Sequence, residues 1–136
     1  MPVMSVGLII RMSMRQWGLI DGCMDNDASV ETVNGNGRRA DLARSIRRAG
    51  WDQIAHWTPG VPGSGRWPSP GVVVRPKLTI AQWLLTVDVL ERWAATGDRV
   101  GRHDRAAEER GLADLIASRL QAHGIRPPEP DRRGAG

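Results

Sequence analysis

Residues 79–96 read Thr79-Ile80-Ala81-Gln82-Trp83-Leu84-Leu85-Thr86-Val87-Asp88-Val89-Leu90-Glu91-Arg92-Trp93-Ala94-Ala95-Thr96, and this stretch decides the fold. Thr79 followed by Gln82 matches a helix capping box and Gly97 supplies a stop, so the spacing predicts a helix over 79–96. Turned at about 100° per residue, Ile80, Trp83, Leu84, Val87, Leu90 and Ala94 share one broad face interrupted by Glu91. Leu85, Val89 and Trp93 form another. Each large side chain contributes about 1.5–3 kcal/mol when buried, so a helix that is apolar on two sides belongs at the centre of the core. Trp83, Trp93 and the second face also offer a surface for self-association or a protein partner, and Trp67, which lies outside this helix in a Pro/Gly-rich loop, is a further candidate interface residue.

Toward the C-terminus, a further helix is expected from about Asp104 to His123, with Leu112, Leu115, Ile116 and Leu120 inward and Gly124-Ile125 as a Schellman-type ending. The Pro-rich, charged tail 126–136 is expected to be disordered. Toward the N-terminus, Val72-Val73-Val74 suits a short edge strand whose one available partner is Val3 to Ile10. The thirteen residues Pro59 to Gly71 hold four prolines and four glycines, which bar both a helix and a central strand.

A basic amphipathic helix is predicted from Arg38 to Ala49 with Gly50 as its stop. Leu42, Ile46 and Ala49 lie on one side of it, and Arg44, Arg47 and Arg48 project from the other. Trp51 to Trp57 adds short turns with Trp51, Ile54 and Ala55 inward, and residues 25–37 read as a polar linker. The expected fold is therefore mainly α: a small helical domain of three to four helices with a long Pro/Gly loop and at most a minor β-ribbon. Residues 1–37 are expected to be a flexible N-terminal segment, with Met24 as an alternative start, 38–125 a single helical domain, and 126–136 a tail.

Composition bounds the function. With 136 residues, 40% of them hydrophobic and 25% charged, the chain supports one thin core. All six aromatic residues are Trp, and Lys77 is the single lysine among nineteen basic residues, a bias that suits a GC-rich genome. The lone Cys23 excludes an intramolecular disulfide and any multi-cysteine zinc site, which fits a reducing, cytoplasmic setting. The apolar run Val3 to Ile10 is eight residues long, too short for a membrane span, so no membrane partner is expected.

The net charge of +4 directs attention to anionic partners. Arg38, Arg39, Arg44, Arg47 and Arg48 could neutralise several phosphates of a nucleic acid, and Arg66 beside Trp67 pairs a cation with a stacking ring. The alternatives are a solvated helix face that complements the helix dipole, or an acidic protein partner. Ala49-Gly50-Trp51-Asp52-Gln53-Ile54-Ala55 resembles the opening of some sigma-factor-type helix-turn-helix motifs. Thr58-Pro59-Gly60-Val61-Pro62-Gly63 bars the recognition helix that would follow, so membership of that family is not inferred.

Little points to catalysis. His56, His103 and His123 stand on separate predicted elements, and Asp104 after His103 reads as an N-cap. Asp21, Asp25 and Asp27 lack the later ligands of a calcium loop and read as solvated, and no Gly-rich phosphate loop is present. No catalytic residue, metal ligand or cofactor is assigned. Two functions follow as expectations: a non-enzymatic DNA-associated accessory or regulatory protein, or a protein-interaction module that self-associates through 79–96.

Overall fold

The structure, a computed structural model, describes residues 3–56, 59–62, 64–130 and 132. Among these residues the fold is mainly α, as the sequence predicts, with four helices and two short antiparallel ladders. The chain divides into two compact units, Met1–Ile80 and Ala81–Gly136.

The first unit is built on a pair of helices, α1 (Met14–Val33) and α2 (Gly37–Ile54). Helix α1 occupies residues that the sequence reading leaves as a flexible segment and linker. Its start is a capping box: the Ser13 hydroxyl accepts from Gln16 N at 3.1 Å, and Gln16 Oε1 accepts from Ser13 N at 2.8 Å. Its buried face runs Met14, Trp17, Ile20, Met24, Asp27, Ala28 and Glu31, and the two acids in that stripe erase the apolar periodicity by which a helix is recognised.

Helix α2 runs past Gly50 to Ile54, because that glycine is a packing site and not a stop. A Cβ on Gly50 would lie 2.5 Å from Cε2 of the fully buried Trp17, so the indole lies flush on bare backbone. The buried face of α2 is Ala40, Ala43, Ile46, Gly50 and Ile54, rotated from the expected Leu42, Ile46, Ala49 stripe toward small residues that let the hairpin close.

Strand β1 (Gly7–Ile9) pairs with β4 (Lys77–Thr79), and β2 (Met12–Ser13) pairs with β3 (Val73–Val74). The N-terminal segment is thus the partner of the valine run, though at Met12–Ser13 and not within Val3 to Ile10. Pro76, which has no N–H to donate, stands between the two ladders and limits both; Ile10 N reaches its carbonyl at 3.3 Å. Burial alternates with period two: Ile10, Met12 and Met14 on one side of the pairing, and Val74, Pro76, Leu78 and Ile80 on the other, are inward. Gln53 ties α2 to this ribbon, its amide donating to Lys77 O and accepting from Lys77 N, both at 2.8 Å.

The second unit contains α3 (Ile80–Arg99, whose first residue closes the first unit) and α4 (His103–Ala122). Trp83, Thr86, Val87, Val89, Leu90 and Ala94 of α3 are buried, so both apolar faces read from the sequence are withdrawn from solvent in part. Ala106, Leu112, Ala113, Ile116 and Leu120 make the inward stripe of α4.

One device ends three of the helices. Gly35, Gly101 and Gly124 adopt positive φ, and Asn36 N→Glu31 O, Arg102 N→Gly97 O and Ile125 N→Leu120 O close the six-residue ring of a Schellman motif. The Gly124 ending is the one the sequence predicts. For α3 the stop is Gly101 and not Gly97, which remains helical and lies 3.5 Å from the Ala106 Cβ when given a Cβ of its own.

Candidate nucleic-acid interface

The positive charge of the chain has a definite location. Residues 1–80 carry ten Arg and Lys against six Asp and Glu, whereas residues 81–136 carry nine of each, so the whole excess belongs to the first unit.

Within that unit the arginine helix is largely occupied by its neighbour. Arg39 donates to the fully buried Asp27 from Nε at 2.9 Å and from Nη2 at 3.2 Å. Arg47 reaches Asp21 from Nε at 3.1 Å and Asp25 from Nη1 at 3.0 Å. Arg44 donates to Asp41 at 3.1 Å and to the Thr32 hydroxyl at 2.6 Å. Three of the five arginines assigned to phosphate are therefore engaged within the α1–α2 hairpin: Arg39 and Arg47 pair with the aspartates of α1 read as solvated, and the still exposed Arg44 is bonded to Asp41 and Thr32. Arg39 and Arg47 flank the buried stripe of α2, which brings their guanidinium groups beside α1 and not onto the far side of the helix. Asp21, Asp25 and Asp27 sit on a helix, and the described residues contain no group of three or more potential metal ligands.

Arg38, Arg48 and Arg66 remain exposed and make no ion pair among the described residues. Two of them stand beside paired indoles. Beyond α2, His56 N donates to Arg66 O at 2.8 Å and Gly65 N donates back to His56 O, which closes the Pro/Gly loop as a bridge. Closure carries Trp67 to the end of α2, where its ring meets Trp51 edge to face, with centroids 5.4 Å apart and planes at 90°. Trp51 is 46% exposed, a correction to its expected inward position: Gly50 and Ile54 take the buried stripe, and the next residue is turned about 100° away from it.

Asp21, Arg47, Arg48, Trp51 and Trp67 line an open cleft of about 330 Å³. Because Arg47 is bonded to Asp21, Arg48 is the unneutralised cation of the cleft. The sequence pairs Arg66 with Trp67 and sets Arg48 apart in the arginine helix, and Trp51, expected inward, is the member of the cleft it does not mark as a site residue. The signal available was the i, i+3 and i, i+4 spacing of Arg47 and Arg48 to Trp51, which becomes visible once the helix is continued through Gly50.

The other candidate interface residues lie elsewhere. Trp83 is fully buried and presents nothing to a partner. Trp93 is half-buried, with the Arg92 guanidinium 5.8 Å from its ring centroid. His103, exposed, has Nδ1 2.7 Å from Asp98 Oδ1, and Arg110 donates to the other oxygen of Asp98. These two bonds, the His103 one foremost, hold the Asp98 carboxyl below its ordinary value. The helix that would read bases in a helix-turn-helix is absent after α2 among the described residues, and no described helix is long and apolar enough to cross a membrane. No family model, curated protein or solved structure matches the chain.

Proposed function

We propose that the protein is a non-enzymatic, DNA-associated accessory protein that contacts single-stranded segments through the cleft formed by Arg48, Trp51 and Trp67, with Arg66 and Arg38 as outlying phosphate contacts. The observation that carries the reading is an exposed arginine beside an edge-to-face indole pair, Trp51 exposed and Trp67 half-buried, in the one unit of the chain that bears the net positive charge. A base stacks on an indole face with little regard to sequence, and a neighbouring guanidinium serves both the phosphate and the ring. The contact set is small, because the hairpin retains Arg39, Arg44 and Arg47. Binding is accordingly weak, non-specific and salt-sensitive.

The test is a titration of single-stranded and duplex oligonucleotides, followed by Trp fluorescence, across a salt series. With two or three phosphates engaged, log K against log salt falls with a slope of about −1.5 to −2 on single strands, and the single strand quenches Trp emission more than the duplex does. A flat salt response, or no binding at low salt, removes the proposal.

A further inference from the structure

Residues 126–130 and 132, the described part of the tail expected from its sequence to be disordered, lie against the second unit. Arg132 donates from Nε to Glu91 Oε2 at 3.2 Å, from Nη2 to Glu91 Oε1, and from Nη2 to Asp114 Oδ1 at 2.9 Å, so one guanidinium links α3 to α4. Those carboxylates hold it above its ordinary pKa. Between this anchor and the end of α4, Pro127, Pro128 and Pro130 lie over apolar residues of both helices. The prolines cover this surface without filling it. One hollow of about 570 Å³ is lined by Leu84, Val87 and Ala95 with the prolines, and another of about 200 Å³ by Val87, Ala113 and Ala117 with the same prolines.

We infer that this groove on α3 and α4 is a docking site for a proline-rich, arginine-bearing segment of a partner protein, and that the chain's own tail is its built-in competitor. The tail supplies the template. Prolines fixed in extended geometry lie against an apolar floor at low entropic cost, and an arginine placed beyond them meets a carboxylate pair. A partner segment with the same anchor and one larger apolar side chain would occupy the hollows that the prolines leave.

A second copy of the chain is the poorer occupant. Exchanging tails reproduces the same contacts and forfeits the short tether from Gly124, which keeps the tail at an effective concentration of about a millimolar. The groove belongs to the second unit and shares no lining residue with the nucleic-acid cleft.

The experiment uses full-length chains and, as probe, a dye-labelled synthetic peptide with the sequence of residues 125–136. The Arg132→Glu variant sets like charges against Glu91 and Asp114 and frees the groove, and its position beyond the last helix leaves the fold intact. Fluorescence anisotropy should show the peptide binding this variant about tenfold or more tightly than the parent chain, the factor by which a tethered competitor weakens a free one. A second variant, carrying Glu91→Ala together with Arg132→Glu, keeps the tail unpaired at Glu91 and should lose most of the affinity gained by Arg132→Glu alone while its circular dichroism is unchanged. Both chains should sediment as monomers. Equal affinity for parent and Arg132→Glu chains, no binding to either, or a parent chain that sediments as a tail-exchanged dimer would overturn the inference.

Discussion

Arg39 of α2 grips the buried carboxylate of Asp27 on α1 through two hydrogen bonds, of 2.9 and 3.2 Å, while Arg38, one residue earlier, is exposed and pairs with nothing among the described residues. Adjacent arginines of one run thus have opposite roles. Arg39→Ala strands a buried charge and should cost about 3 kcal/mol of stability, whereas Arg38→Ala should stay within about 0.5 kcal/mol. Urea unfolding measures both. Equal effects would mean that the α1–α2 pairing is not the structural contact described.

Two glycines inside helices should respond to alanine with opposite sign. At Gly50 the new methyl group runs into the Trp17 indole, nearest at Cζ2 and 2.5 Å from Cε2, and overpacking of that kind costs about 1–3 kcal/mol. At Gly111 on α4 nothing lies within 4 Å, so Gly111→Ala gains the helix propensity of alanine, about 1 kcal/mol. Thermal melts of the two variants should move in opposite directions.

Gly101→Ala forces a β-carbon into the left-handed region at φ 82° and should cost about 1 kcal/mol. Gly97→Ala remains helical and sits 3.4 Å from Arg102 O and 3.5 Å from Ala106 Cβ, so it should be nearly neutral. If Gly97 proved the costlier site, α3 would end where its sequence suggests, before Arg99.

Asp98 makes the second unit acid-sensitive. Its carboxyl is lowered in the folded chain by His103 and Arg110, so the stability it adds is present above the unfolded value near 3.8 and is lost as the pH falls through the lower folded value. Asp98→Asn removes this contribution at neutral pH and with it part of the acid slope. Melting temperatures followed downward from about pH 5 should fall less steeply for the variant than for the parent chain. Parallel curves would dissociate Asp98 from the acid response.

The arginines of α2 divide again in binding. Arg48→Ala should reduce the salt slope on single-stranded DNA by about 0.7, and Trp51→Ala should cost about 1–3 kcal/mol of affinity. Arg39→Ala should leave the slope unchanged among molecules that remain folded. A slope that responds to Arg39 and not to Arg48 would return the contact surface to the helix face read from the sequence.

The sequence alone determined the elements whose signals are local. Residues 80–96 are helical because an apolar pattern repeats along one continuous stretch, the Pro59–Gly71 loop is irregular because proline lacks a donor, and Gly124 ends α4 because it tolerates positive φ. The tertiary structure decided whatever depended on which residues meet. Helix α1 carries Asp27 and Glu31 on its buried face, a pattern that reads as polar linker until Arg39 arrives from α2 to neutralise one of those charges. Gly50 reads as a stop until Trp17 is laid against it, and Arg44, Arg47 and Arg48 read as one face until α1 takes two of them. Charge pairing and close packing are properties of two segments at once, so a one-dimensional pattern cannot assign them.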